Sequence, residues 1–169
     1  MNKFSRFKLD LYAHYSDNIS INLSPASSFR NRCEFSYSNN SFVMHDGKTK
    51  LYITYFTNAT PSIQKIMPLI LNVINNNKLI KNKLFQINFR SNSSENVLIT
   101  LIYHKPLCSE IKEKSQQIAK KLNVKIILRA KNEIYPVKNI YFEDLLITNN
   151  IKIYQTDNCF YQPNKFLLP

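Results

Sequence analysis

The sequence predicts an α+β domain, an antiparallel or mixed sheet with two main helices packed on it. Three observations carry this expectation. Residues 29–37 alternate apolar and polar with a period of two, the pattern of a half-buried strand. Two other stretches, one after Thr60-Pro61 and one from Ser109, repeat apolar residues at helical spacing. The chain is 44% hydrophobic and 12% aromatic, which is enough for a core and favours strands.

The elements follow in order. Residues 1–16 fit a short amphipathic helix with Phe4, Phe7, Leu11 and Tyr15 on one side. Asp17 to Ser28 is rich in Ser and Asn, contains Pro25 and reads as a loop. From Phe29 to Tyr37, Phe29, Cys33, Phe35 and Tyr37 face one way, and Arg30, Arg32, Glu34 and Ser36 the other. Ser38 to Ser41 is a turn. Phe42 to Met44 and Leu51 to Phe56 form strands hinged at His45-Asp46-Gly47.

Thr60 as an N-cap and Pro61 in the first turn start a helix that buries Ile63, Ile66, Met67, Ile70, Leu71 and Ile74, with a kink expected at Pro68. Leu84 to Arg90 and Val97 to His104 form a hairpin. A second helix, Ser109 to Leu122, buries Ile111, Ser115, Ile118, Ala119 and Leu122 and turns Lys112, Lys114, Lys120 and Lys121 outward. Val124 to Arg129 and Glu133 to Val137 are strands, and Ile151 to Gln155 and Cys159 to Gln162 form the tail.

One glycine, Gly47, stands in 169 residues, where ordinary usage of about 7% would give roughly a dozen. Loops that wrap a nucleotide use glycine to bring backbone N–H groups to the phosphates. The GxGxxG, GxxxxGK[ST] and GxSxG patterns are therefore all excluded. The net charge is +12 and the pI about 9.6, a field that attracts nucleic acid. A coding bias toward Lys, Asn and Ile would give the same charge without a partner. Cys33, Cys108 and Cys159 have no CxxC spacing, which argues against a disulfide framework or a zinc site. They read as buried or half-buried thiols in a reducing, cytoplasmic compartment. No apolar run is long enough to span a membrane, and no metal site is expected.

The binding candidates are cations with interleaved aromatics. Phe85 and Phe89 lie beside Lys81, Lys83 and Arg90, a mixture suited to unpaired RNA, with one of the two rings expected in the core. His104 ends a strand, either as a plain strand-end imidazole or as a group that stacks on a base. Arg30 and Arg32 share a face with Glu34, as a self-neutralising patch or as phosphate contacts. The carboxylates Glu143-Asp144, Glu110 and Glu113 read as solvated, and no nucleophile–base pair stands out.

Ser16-Asp17, FRNRCEF (29–35), HDGKTK (45–50), KLFQINF (83–89), LIYHK (101–105), LRA (128–130) and IYQTDNCFYQPN (153–164) occur in an order and spacing that resemble the N-terminal part of the bacterial tRNA (uracil-5-)-methyltransferase family. The resemblance covers nearly the whole chain. That family makes the ribothymidine of the tRNA T-loop and also acts on tmRNA. It joins an α+β part that handles the T-arm to a Rossmann-like domain that binds S-adenosylmethionine and carries the catalytic cysteine and glutamate. The resemblance implies that residues 1–152 are an RNA-recognition domain and that 153–169 begin the junction to a methyltransferase domain expected to be missing here.

It also implies that Phe85 and His104 hold the opened T-loop, that Arg30 and Arg32 belong to a basic RNA-binding strand, and that Gln162 contacts S-adenosylmethionine. No cysteine or glutamate here matches the family's nucleophile or base, so the chain alone is expected to be inactive. Ser36 stands where the family places a third arginine. Three states fit this reading: a shortened T-arm-binding relative, half of an enzyme completed by a separately encoded catalytic chain, or a remnant without function. Apolar residues of the tail, Phe160, Phe166, Leu167 and Leu168, are expected to be partly exposed.

Overall fold

A computed structural model of the protein describes residues 3–15, 23–138, 141–146, 151–157 and 159–167. The Ser16-Asp17 motif, part of the loop before Ser28, the side chain of Phe4, and Leu168 lie outside the described residues. After helix α1 (Lys3–His14), strands β1 (Arg32–Ser38), β2 (Ser41–Asp46) and β3 (Thr49–Ile53) form an antiparallel meander. Helix α2 (Pro61–Asn75) and the short α3 (Lys78–Lys81) bring the chain back to β4 (Leu84–Ser91), which pairs with β1.

Strand β5 (Val97–Tyr103) completes a hairpin with β4, and helix α4 (Ser109–Leu122) leads to β6 (Lys125–Ala130), parallel to β5. A parallel pair needs such a crossover, because a tight turn only joins antiparallel strands. With β7 (Glu133–Tyr135) at the edge, the order is β3-β2-β1-β4-β5-β6-β7. A separate hairpin, β8 (Phe142–Leu146) with β9 (Ile151–Gln155), follows. The mixed sheet and the two main helices agree with the sequence expectation.

The core lies between the helices and one face of the sheet. Ile63, Met67, Ile70 and Ile74 of α2 and Ile111 and Ile118 of α4 are buried against Phe35, Phe42, Ile87, Phe89, Ile99 and Leu101. Phe35, Phe42 and Phe89 meet at tilted or edge-on angles with centroids 5.4–6.1 Å apart, the favoured geometry for aromatic rings. The opposite face carries Arg32, Glu34 and Ser36, whose register partners are Arg90, Asn88 and Gln86. Beyond them the β8–β9 hairpin covers Leu98 and Ile127 with Phe142.

Most left-handed positions are filled without glycine. Gly47 (φ +58°) opens the two-residue turn between Asp46 and Thr49. Asn39 and Asn40 (φ +50° and +60°) form the β1–β2 turn between Ser38 and Ser41, and both signs suit a primed hairpin turn. Asn123 (φ +52°) caps α4, its N–H bonding back to the last turn. Asparagine tolerates this region better than other residues with a Cβ, so an Asn-rich chain dispenses with most glycines.

Several details differ from the sequence reading. The Thr60 hydroxyl does not cap α2 but bonds the Ser91 hydroxyl at 2.7 Å, tying the helix start to β4. Asp144 is buried rather than solvated: it accepts the Ser93 N–H at 2.8 Å and the Tyr161 hydroxyl at 2.9 Å. Glu143 is exposed and pairs with Lys152. Cys108 is exposed, because it occupies the N-cap of α4. In α1 Phe7 is exposed and Leu11 half-buried, and Tyr15 just after the helix is exposed.

Cys159 to Gln162 is irregular, since its backbone is engaged by a side chain instead of a strand. The buried Arg90 guanidinium donates to the carbonyls of Asp157 (3.1 Å) and Cys159 (2.6 Å) and to Gln155 Oε1 (3.1 Å). The Asn31 N–H to the Pro163 carbonyl (2.8 Å) and the Lys165 N–H to the Phe29 carbonyl (2.9 Å) hold the rest of the tail beside β1. The expected boundary after residue 152 falls within β9.

Three outcomes follow from this packing. Arg90→Met leaves three oxygen acceptors, and the weaker acceptor Cys159 Sγ, without their donor; at about 1 kcal/mol for each oxygen it lowers the unfolding free energy by about 3 kcal/mol in urea titration. Asn40→Gly is neutral or slightly stabilising in the same assay, whereas Asn40→Val costs about 1–2 kcal/mol, because a β-branched residue resists the left-handed region. Burial pushes the Cys33 thiol up to about 12 against the opposing pull of Arg30. Iodoacetamide at pH 8 therefore labels Cys108 in the folded protein and reaches Cys33 only after denaturation, which peptide mass spectrometry reads directly.

Candidate nucleic-acid interface

The ladder between β4 and β5 breaks at one point. Leu84 pairs with Tyr103 and Gln86 with Ile102, so Phe85 is an extra residue, a bulge at the start of β4. Lys83 just before it takes φ +58°, and its carbonyl accepts the His104 N–H at 3.0 Å. The bulge turns Phe85 off the packed face and leaves it 42% exposed, while Phe89, four residues on, is fully buried. One ring of the two is therefore core and the other is surface, as the sequence reading expects, although plain alternation would put both on one face and only the bulge separates them.

The Phe85 and His104 rings stack, with centroids 4.2 Å apart and planes 18° from parallel. They stand in the wall of an open groove of about 1060 Å³, with Ile102, Lys105, Arg129, Lys131 and Glu133. Two cations there are partly engaged. Lys105 Nζ donates to the Leu79 carbonyl at 3.3 Å and lies over the Tyr103 ring. Arg129 pairs with Asp157 at 3.1 Å. The groove's carboxylate is neutralised: Glu133 pairs with Lys112 at 2.6 Å and accepts the Leu107 N–H, which together hold its carboxyl below the usual range. The groove thus offers an aromatic platform inside a cationic wall, the combination that accepts unstacked bases and their phosphates.

Arg30 and Arg32 lie elsewhere. They line a hollow of about 290 Å³ with Glu34, Phe160, Tyr161 and Pro163. Arg32 Nε bonds Glu34 Oε1 at 2.8 Å, the self-neutralising arrangement that the spacing allowed. Arg32 stands opposite Arg90, five residues from Phe85, so the two clusters are about 16 Å apart along β4. The structure brings Phe85 and His104 together, brings Arg30 and Arg32 together, and separates the pairs. Gln162 is half-buried in the tail, its Oε1 accepting the Asn164 N–H at 3.2 Å.

The sequence reading missed Lys105, Arg129 and Lys131 as groove residues. The available signal was Arg129 itself, a cation directly after the buried apolar run of Ile126, Ile127 and Leu128 in β6. Among the described residues no group of three or more His, Cys, Asp or Glu side chains is placed to hold a metal, and no helix is long and apolar enough to cross a membrane.

Comparison with known proteins points the same way as the motifs. A tRNA/tmRNA (uracil-C(5))-methyltransferase of Teredinibacter turnerae is 33% identical over 152 residues, covering 83% of this chain and 42% of that protein. The corresponding protein of Aliarcobacter butzleri is 35% identical over 150 residues, covering 82% of this chain and 40% of its own length. This chain therefore spans about two-fifths of the relatives it matches. In fold it is similar to the crystal structure of Pyrococcus abyssi tRNA (uracil-54, C5)-methyltransferase in complex with S-adenosyl-L-homocysteine, with a TM-score of 0.63 at 12% identity over 84% of this chain and 39% of that one. The family model for tRNA (Uracil-5-)-methyltransferase matches residues 1–168, and with these relatives it shows that the chain belongs to that family.

Proposed function

We propose that this chain is the T-arm-recognition part of a tRNA and tmRNA uracil-C5 methylation system. The observation that carries the reading is the stacked, exposed Phe85–His104 pair in a groove with Lys105, Arg129 and Lys131. In this role the two rings replace stacking that the T-loop bases lose when the loop opens, and the cations hold the backbone. Arg30 and Arg32 add a second phosphate contact along the same sheet. Ser36, in place of an arginine, leaves that second contact weaker.

The family uses S-adenosylmethionine as methyl donor. The described residues do not by themselves fit that group. Gln162, half-buried in the tail, is the single described residue that the resemblance offers for it, and Gly47 lies in the β2–β3 hairpin toward the far edge of the sheet. We therefore assign this chain RNA binding, and place methyl-donor binding and the catalytic cysteine and glutamate outside it. A separately encoded catalytic chain is a second reading; the exposed apolar tail, with Phe160 83% exposed and Phe166 and Leu167 more than half exposed, fits coverage by a catalytic part on the same or on a separate chain.

An unmodified T-arm RNA hairpin tests the reading by fluorescence anisotropy. Loss of stacking is worth about 1–3 kcal/mol per base, so the double variant Phe85→Ala, His104→Ala is expected to bind at least tenfold more weakly. Equal binding by that variant would overturn the stacking role. Affinity should also fall steeply with salt as phosphate contacts are lost. Incubation with unmodified tRNA and labelled S-adenosylmethionine is expected to yield no methylated product from this chain alone; methyl transfer would refute the division of roles. A neighbouring reading frame that begins with a glycine-rich βαβ unit would establish the two-chain arrangement as the better reading.

A further inference from the structure

Arg129 is the groove cation with the most constrained surroundings. It stands in register with Ile102, which in turn pairs with Gln86 beside the bulged Phe85. Two interstrand spacings put its backbone about 10 Å from that of Phe85, with His104 just after the strand between them, a span that an arginine side chain and one nucleotide cover together. Its side chain is 35% exposed, whereas that of Asp157, its partner, is 2% exposed. Neither Asp157 oxygen has a hydrogen-bond partner among the described residues, and Arg129 Nη1 approaches Oδ2 at 3.1 Å. Arg90 grips the same turn by the Asp157 carbonyl, which fixes the backbone that carries this carboxylate beside β6.

We propose that Arg129 is a phosphate-binding residue of the RNA groove and that the buried Asp157 positions it. The assignment rests on the RNA-binding reading above. Moving Arg129 away would strand a buried carboxylate without its cation, which is strongly unfavourable. The tether occupies one guanidinium nitrogen and leaves the other N–H donors for the groove. A planar fork held at one edge is suited to grip a phosphate with the other. Because the side chain is ordered before RNA arrives, binding loses less conformational entropy there than at the exposed Lys131.

The test measures binding of the unmodified T-arm hairpin over a range of KCl concentrations. Arg129→Gln is expected to weaken binding about tenfold and to make the plot of log affinity against log salt shallower by about one. Asp157→Asn separates positioning from charge. It removes a negative charge beside the groove, so a field effect alone tightens binding. Loss of positioning instead weakens it several-fold with the salt slope unchanged. Wild-type affinity and slope in Arg129→Gln, or tighter binding by Asp157→Asn, overturns the proposal.

Circular dichroism melting checks that each variant folds. If Arg129→Gln does not, Arg129→Lys replaces it: the charge and the tether remain but the fork is lost, so affinity is expected to fall at an unchanged slope, and wild-type affinity would count against the proposal. If Phe85→Ala, His104→Ala binds as wild type does, the stacking reading falls while the Arg129 slope still decides this inference. If wild type does not bind the hairpin, the same variants are measured on oligouridylate, where a slope unaffected by Arg129→Gln overturns the assignment.

Discussion

The structure depends on the helices lying on one side of the sheet. Both α2 and α4 pack on the face that carries Phe35, Phe89, Ile99 and Leu101. Helix α4 makes the parallel β5–β6 crossover, and α2 makes the return from edge strand β3 to central strand β4. One face is therefore dry and the other is left for polar work. Without that asymmetry Arg32, Asn88, Arg90 and Arg129 would have nowhere to go, because an unpaired charge inside a two-layer core is prohibitively unfavourable.

The polar face divides between structure and recognition. Arg90 serves structure: its donors satisfy backbone carbonyls of the tail and hold Gln155, Asp157 and Cys159 against β4. Asp144 does similar work for the Ser91–Asn96 loop and Tyr161. Phe85, His104 and Arg129 are instead turned to the open groove. The bulge at Phe85 separates the two uses, since an uninterrupted ladder would have returned Phe85 to the plain alternation of β4.

The scarcity of glycine has a conformational counterpart. Asn39, Asn40 and Asn123 occupy left-handed positions where glycine is common, and Lys83 does so beside the aromatic pair. A non-glycine residue held there is mildly strained, and such strain is found where the surrounding structure fixes a functional group. At Lys83 the carbonyl bond to His104 provides that fixing. The same shortage limits ligand chemistry, since the one glycine opens a hairpin turn and not a loop of the kind that wraps a nucleotide.

The alternation of 29–37, the apolar spacing of both long helices and the β4–β5 hairpin were legible in the sequence, because each is a local pattern imposed by burial on one side. Phe85 and His104 were legible as candidates from residue type and motif resemblance. Their stacking was not, since it depends on a bulge that no local pattern marks. Asp144 was misread because burial of a single carboxylate depends on Ser93 and Tyr161, both distant in sequence. Arg129 was missed because its partner, Asp157, is brought to it by the Arg90 clamp. Local periodicity thus determined which face of each element is apolar, whereas the tertiary structure decided which polar residues meet, since those contacts join residues tens of positions apart.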